Sequence, residues 1–349
     1  MSLPGMAKKA LPPPLPKETE VNYDDIKEEG FGDEISAGFT LGHAGRFASG
    51  KTSSALALGF MQKQYLPQLR KAKLDVIADL LENGKIPEIK RIVIIESENS
   101  AQKQFSHGSD FERFKELRSI IKFIHIDPVS KEECATADGT EIKKKSLDDI
   151  QGMCDKYMNA IEKYAKIDDP NTLLILDSGS RLKLLLDTKA EIIVQKQIKQ
   201  ASTGPNGTYL PVSEETEKRI KGAKWINRNQ WWNRYMTLIR GIKGWVVVTF
   251  MDEEVSQWIQ DMQSSKGKVA KQETREWSPK TEFNFDLISL FKRNTTNQVI
   301  TAEVESSRYI KRGETPKPIE IKGKYAYLKL INEFLTYASK IEPEEDIAG

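Results

Sequence analysis

Gly45-Arg46-Phe47-Ala48-Ser49-Gly50-Lys51-Thr52 is the stretch on which the reading of this chain turns. It fits G-x-x-x-x-G-K-[ST], the phosphate-binding loop called Walker A. Gly45 and Gly50 let the backbone curl until successive N–H groups point at a phosphate chain. Lys51 is a compact cation with reach to the β- and γ-phosphates, and Thr52 offers a hydroxyl to Mg²⁺. From Ser53 onward, residues 53–64 read as a helix, whose N-terminus adds partial positive charge beneath the phosphates. Ahead of the loop, residues 35–42 can form a short strand. Behind it, Ala55, Leu56, Leu58, Gly59 and Phe60 give an apolar helix face. Strand, glycine loop and helix in succession are the setting the motif requires, and that setting disfavours a glycine loop with an incidental lysine. The nucleotide-binding set is therefore Gly45, Arg46, Phe47, Ala48, Ser49, Gly50, Lys51, Thr52 and Ser53, with ATP and Mg²⁺ as the expected ligands.

Outward from the loop, apolar strand-like runs alternate with helical patterns. Strands are expected at residues 91–95, 120–126, 173–177 and 245–250. Helices are expected at 71–81, 111–119, 147–165, 182–199 and 214–242. A polar segment runs from Asp252 to about Glu282. Residues 285–291 and 298–304 read as paired antiparallel strands, and residues 325–340 as a closing helix. The expected fold is α/β, a mainly parallel sheet flanked by helices and closed by a C-terminal antiparallel hairpin. Ligands in such sheets bind at the carboxyl ends of the strands. Residues 1–30, with Pro12-Pro13-Pro14 and Pro16 and then a charged run, read as a disordered tail. Residues 31–340 read as one domain with helical and loop insertions, and 341–349 as an acidic tail.

Composition narrows the classes. At 349 residues, 38% hydrophobic and 30% charged, the chain reads as globular with a polar surface. A net charge of +2 gives no bulk argument for nucleic acid. The two cysteines, Cys134 and Cys154, are too few for a disulfide framework, which points to a reducing interior such as the cytoplasm. No apolar run reaches the ~18 residues of a membrane span. With only His43, His107 and His125, a histidine-rich metal site is not expected.

The candidate chemistry gathers at strand ends. Asp177 closes an apolar strand downstream of Walker A, the Walker B position, where a carboxylate holds Mg²⁺ through water. A helix N-cap is the alternative role. Glu96 and Glu98 follow the strand between these two motifs. Glu98 lies where it can face the nucleotide and orient the attacking water, while Glu96 supports it or points elsewhere. Thr249 ends the strand after Asp177 and is placed to sense the γ-phosphate, although threonine is also a good strand former. Arg308, Lys311 and Arg312 follow the hairpin and suit a cationic finger inserted into a neighbouring subunit's site, or a solvated turn.

Taken together, the Walker A loop, Ile94-Ile95-Glu96-Ser97-Glu98, Leu174-Ile175-Leu176-Asp177-Ser178, the strand ending at Thr249 and the closing hairpin resemble the RecA-type ATPase core. The likeness is to the compact RecA-like ATPases of phages and archaeal viruses that act in single-strand annealing and recombination. RadA, KaiC and the DnaB helicase are more distant relatives. The resemblance implies Lys51, Glu98 and Arg308 as catalytic residues, and Thr52 and Asp177 at the metal. It also implies a homo-oligomeric ring or filament with nucleotide between subunits. Ser306 stands where the family's finger carries lysine, and Met251 where phage members often carry histidine.

DNA-binding loops are implied after the Asp177 and Thr249 strands. Lys266, Lys268, Lys271, Arg275 and Trp277, with Lys280, supply cations and an aromatic suited to single-stranded DNA, or form a solvated insertion. Trp225, Arg228, Trp231, Trp232 and Arg234 are a second set, of which Trp225, Trp232 and Leu238 read better as a buried helix face. A DNA-packaging or helicase-type translocase and a KaiC-like regulatory ATPase acting on protein partners are the alternative functions.

Overall fold

The computed structural model describes residues 38–46, 48–97, 102, 112–126, 147–167, 169–203, 208–259, 268–275, 281–294, 296–311 and 313–339. The expected tails and Phe47, Glu98, Lys266, Trp277, Lys280 and Arg312 lie outside these residues. Strand β1 (Thr40–Gly45) leads into α1 (Lys51–Ala57), and α2 (Leu66–Lys71) and α3 (Asp75–Glu82) follow. Next come β2 (Arg91–Glu96), β3 (Ile121–His125), α4 (Leu147–Ile167), β4 (Thr172–Asp177), α5 (Gly179–Ala201) and α6 (Glu214–Arg240). The chain continues with β5 (Trp245–Ile259), β6 (Lys268–Arg275), β7 (Leu287–Arg293), β8 (Ile300–Ser307), β9 (Ile319–Glu320) and α7 (Ala326–Ala338).

The strands order as β3-β2-β4-β5-β1-β7-β8-β9, with β6 paired to β5 alone. Pairing is parallel from β3 across to β7 and antiparallel for β7–β8 and β8–β9. This is the expected α/β arrangement, a mainly parallel sheet flanked by helices and closed by antiparallel C-terminal strands. The buried strands are near-continuous apolar runs because both sheet faces are covered. Alternate residues serve different cores. On β2, Ile92 and Ile94 pack with α1, α3 and α7, whereas Val93 and Ile95 pack with α4, α5 and α6. The long helices start on side-chain caps. Ser178 Oγ accepts from Arg181 N at the head of α5, and Ser213 Oγ accepts from Thr216 N at the head of α6. Glu214, Glu215 and Glu217 in the first turn of α6 complement its dipole.

Three expectations change. The helix after Walker A is shorter than residues 53–64. It ends at Ala57 and tightens into a 3-10 turn over Leu58–Phe60. There Gly59 lies so close to its neighbours that a Cβ would sit 2.6 Å from the Ile92 side chain. The polar segment from Asp252 is in its first part strand: β5 runs on to Ile259 and pairs antiparallel with β6, from Asp252↔Arg275 to Ile259↔Lys268. Backbone pairing satisfies this polar stretch without apolar alternation. The tryptophans of α6 also divide. Trp232 is buried and donates from Nε1 to Thr281 Oγ1 at 2.9 Å, while Trp225 is 53% exposed. Seven residues apart on a helix, they share a face, but the Trp225 ring is met by a cation rather than by the core, with the Arg228 guanidinium 4.8 Å from its centroid.

Candidate phosphate and metal site

The loop between β1 and α1 takes the curled form that its glycines permit. Gly45 has φ +148°, and a Cβ there would lie 2.3 Å from the Phe291 carbonyl oxygen. Gly50, with φ +84°, precedes the first residue of α1. Both values favour glycine. Ala48 is also left-handed, at φ 56°. The β7–β8 hairpin backs the loop: Arg293 Nη1 donates to the Ala48 carbonyl at 3.4 Å, and Ile300 lies beside Gly50.

Lys51 is buried, and its ammonium folds onto the loop. It donates to the carbonyls of Gly45 and Arg46 at 2.7 Å each and lies 3.4 Å from Ser49 Oγ. Ser49 and Ser53 are buried, while Arg46 is exposed. An ammonium held by neutral carbonyls can exchange them for anionic phosphate oxygens, which form stronger charge-assisted bonds.

One polar row crosses the sheet on the face that packs against α1. At one level of the sheet stand His125, Glu96 and Asp177, each the last residue of its strand, and Thr249, His43 and Ser289, each within its strand. Adjacent strands pair His125 with Glu96, Glu96 with Asp177, His43 with Thr249, and His43 with Ser289. Asp177 Oδ1 accepts from Thr249 Oγ1 at 2.7 Å, and Asp177 Oδ2 accepts from Thr52 Oγ1 at 2.9 Å. The structure thus brings Lys51, Thr52, Asp177 and Thr249 together.

Glu96 is 1% exposed, and His125 Nδ1 lies 3.1 Å from its Oε1, an electrostatic contact rather than an aligned hydrogen bond. His43 is wholly buried and bridges two elements. Since a carbonyl only accepts, Nδ1–H donates to the Lys51 carbonyl at 3.0 Å, and Nε2 accepts from Tyr327 Oη–H at 2.7 Å. Tyr327 Oη in turn accepts from Ser289 at 3.0 Å. Burial, with a smaller contribution from the Lys51 charge, holds the His43 imidazole down at about 3, against the carbonyl bond that favours its proton. Burial pushes the Tyr327 phenol up. Sequence reasoning passed over His43, because one histidine in an apolar strand carries no periodic signal.

The donor set fits magnesium. A hydroxyl and a carboxylate are hard oxygen ligands, and Mg²⁺ is held by one or two carboxylates together with substrate phosphates and water. Among the described residues no group of three or more His, Cys, Asp or Glu could hold a metal ion. Arg308 sits elsewhere. Its Nη1 lies 3.7 Å from Asp286 Oδ1, its Nη2 donates to the Phe283 carbonyl, and its side chain is 40% exposed. Lys268, Lys271 and Arg275 fall on β6 in the two-stranded ribbon that continues the Thr249 strand. Among the described residues no helix is long and apolar enough to cross a membrane.

No protein-family model matches the chain, and no curated protein matches it. Among solved structures it is similar to the RadB recombinase, at 13% identity and a TM-score of 0.32, over 83% of this chain and 90% of that one. It is also similar to a KaiC-like protein from the hyperthermophilic archaeon Pyrococcus horikoshii, at 12% identity and a TM-score of 0.32, over 83% of this chain and 88% of that one. The fold stands on the strand order and pairing given above.

Proposed function

We propose that this chain is an ATPase that binds ATP with Mg²⁺ at Gly45–Gly50, Lys51, Thr52 and Asp177, and that it acts on single-stranded DNA in recombination, annealing or replication. The observation that carries the reading is the Asp177 carboxylate held between the Thr52 and Thr249 hydroxyls, 2.9 and 2.7 Å away, with the buried Lys51 next to Thr52 in the chain and folded onto the glycine loop. Few structural purposes need a lysine, two threonines and an aspartate gathered at a glycine loop.

In this reading the loop N–H groups and the Lys51 ammonium grip the phosphates, and Thr52 and Asp177 hold the ion. Bound there, Mg²⁺ neutralises charge on the β- and γ-phosphates. Glu98, which follows β2, orients the attacking water. Thr249 joins the site to the ribbon, because it lies on the same strand, β5, that runs on to Ile259. A change at Asp177 on hydrolysis then reaches β6, with Lys268, Lys271 and Arg275, through continuous backbone. Lys268, Lys271 and Arg275 would meet a single-stranded backbone along a ribbon of roughly eight paired residues, about 25 Å long, in which Asp252, Glu253, Glu254 and Glu273 offset their charge. Oligomers would place nucleotide between subunits, with Arg308 leaving Asp286 to serve a neighbour's site.

The test is the ATPase rate with and without single-stranded DNA at low salt. Stimulation that fades as salt rises is expected. An active enzyme indifferent to DNA, with no binding at low salt, would remove the DNA part of the proposal and favour action on a protein partner.

A further inference from the structure

We propose that Glu96 is a positioning residue of this site, oriented by His125 to hold water of the metal's hydration shell beside Asp177. The inference rests on the nucleotide reading above and extends it, since that reading gives the metal to Asp177 and the attacking water to Glu98.

The geometry is specific. Glu96 ends β2 at a position where the apolar alternation would accept another isoleucine, yet it carries a carboxylate that is 1% exposed. Burying a carboxylate is costly unless charge or donors compensate it. Its register partners are Asp177 on one side and His125 on the other, all three on the face that packs against α1. Adjacent strands lie about 4.8 Å apart, so two carboxylates at one register repel each other unless a cation or donor stands by. The donors are divided between them: Thr52 and Thr249 serve Asp177, while His125, 40% exposed, stands 3.1 Å from Glu96. Mg²⁺ keeps several of its waters, whose protons need acceptors. Glu96 is the buried acceptor at the register of the proposed metal ligand. His125, with Nδ1 3.1 Å from Oε1, is the neighbour placed to orient it, a hydrogen bond forming there by a small turn of the ring when the site fills, as outer partners orient first ligands in other metal sites.

The experiment compares the affinity of a fluorescent ATP analogue in Mg²⁺ and in EDTA for the wild type, Glu96→Gln and His125→Asn. Melting temperature is read alongside. The ratio of the two affinities measures what the ion adds. Glu96→Gln keeps shape and an acceptor for His125, so the EDTA affinity and melting temperature are expected to stay at wild-type values while the ratio falls about tenfold. His125→Asn is expected to lower the ratio less, in the same direction.

An unchanged ratio in Glu96→Gln overturns the proposal. So does a fall in melting temperature and in both affinities together, which marks a purely structural residue. If Glu96→Gln does not fold, His125→Asn decides, and an unchanged ratio there overturns the proposal equally. A wild type that binds no analogue, or gains nothing from Mg²⁺, refutes the nucleotide reading itself and takes this inference with it.

Discussion

Acidification should destabilise this protein through His43 by an amount that can be worked out. In the folded chain burial holds the imidazole down at about 3, and both of its nitrogens are engaged, by the Lys51 carbonyl and by Tyr327. In the unfolded chain it returns to about 6.5. The native value is the lower one, so the unfolded state binds the extra proton. The stabilisation from a neutral His43 is complete above pH ~6.5 and is lost as pH falls toward 3. Each pH unit in that window costs up to about 1.36 kcal/mol. Between pH 7.5 and pH 5 the loss from this residue is about 2 kcal/mol. Urea unfolding at a series of pH values gives the slope for wild type and for His43→Gln, which cannot titrate yet can still donate to Lys51 and accept from Tyr327. Other groups titrate alike in both proteins and cancel in the difference. The wild type should lose about 2 kcal/mol more than the variant between those two pH values. Parallel stability curves would refute a buried, neutral, doubly bonded His43, and with it the link from α1 to α7.

Gly45→Ala forces a Cβ to within 2.3 Å of the Phe291 carbonyl at a φ of +148°; a stability loss of at least about 1–3 kcal/mol in thermal unfolding, together with lost ATP binding, is expected. Thr249→Val keeps the strand but removes a donor from Asp177 Oδ1; steady-state ATP turnover should drop about 10–100-fold, while ATP affinity in EDTA stays unchanged. Trp232→Phe leaves the buried Thr281 hydroxyl without its indole partner and should cost about 1–3 kcal/mol in denaturant unfolding. Trp225→Ala, at a half-exposed position, should move stability by no more than about 0.5 kcal/mol in the same assay.

The phosphate loop was legible because it is local: glycines, lysine and threonine at fixed spacing between an apolar strand and a helix. Asp177 was legible for the same reason, at the end of the run Leu173-Leu174-Ile175-Leu176. The parallel sheet followed from strands that read as unbroken apolar runs, as they do when both faces are covered. What escaped depends on pairing between distant segments. The extension of β5 to Ile259 is held by hydrogen bonds to β6, and polar residues such as Asp252, Glu253 and Glu254 announce no strand. The polar row from His125 to Ser289 exists only once six strands are set in register, since His43, His125 and Ser289 look incidental in their own segments. Arg308 shows the limit from the other side. Its sequence position suggests a finger for a neighbour, but within one chain its guanidinium rests on Asp286 and the Phe283 carbonyl.

Whether the glycine loop and Lys51 grip a triphosphate is decided by titration calorimetry of ATP with Mg²⁺ into wild type and into Lys51→Ala. One site per chain is expected in the wild type and, in the variant, an affinity lower by at least about tenfold, the ~1.4 kcal/mol or more expected for a charge-assisted bond to phosphate. Wild-type protein that releases no heat with ATP, or a variant that binds ATP as tightly as the wild type, would contradict it.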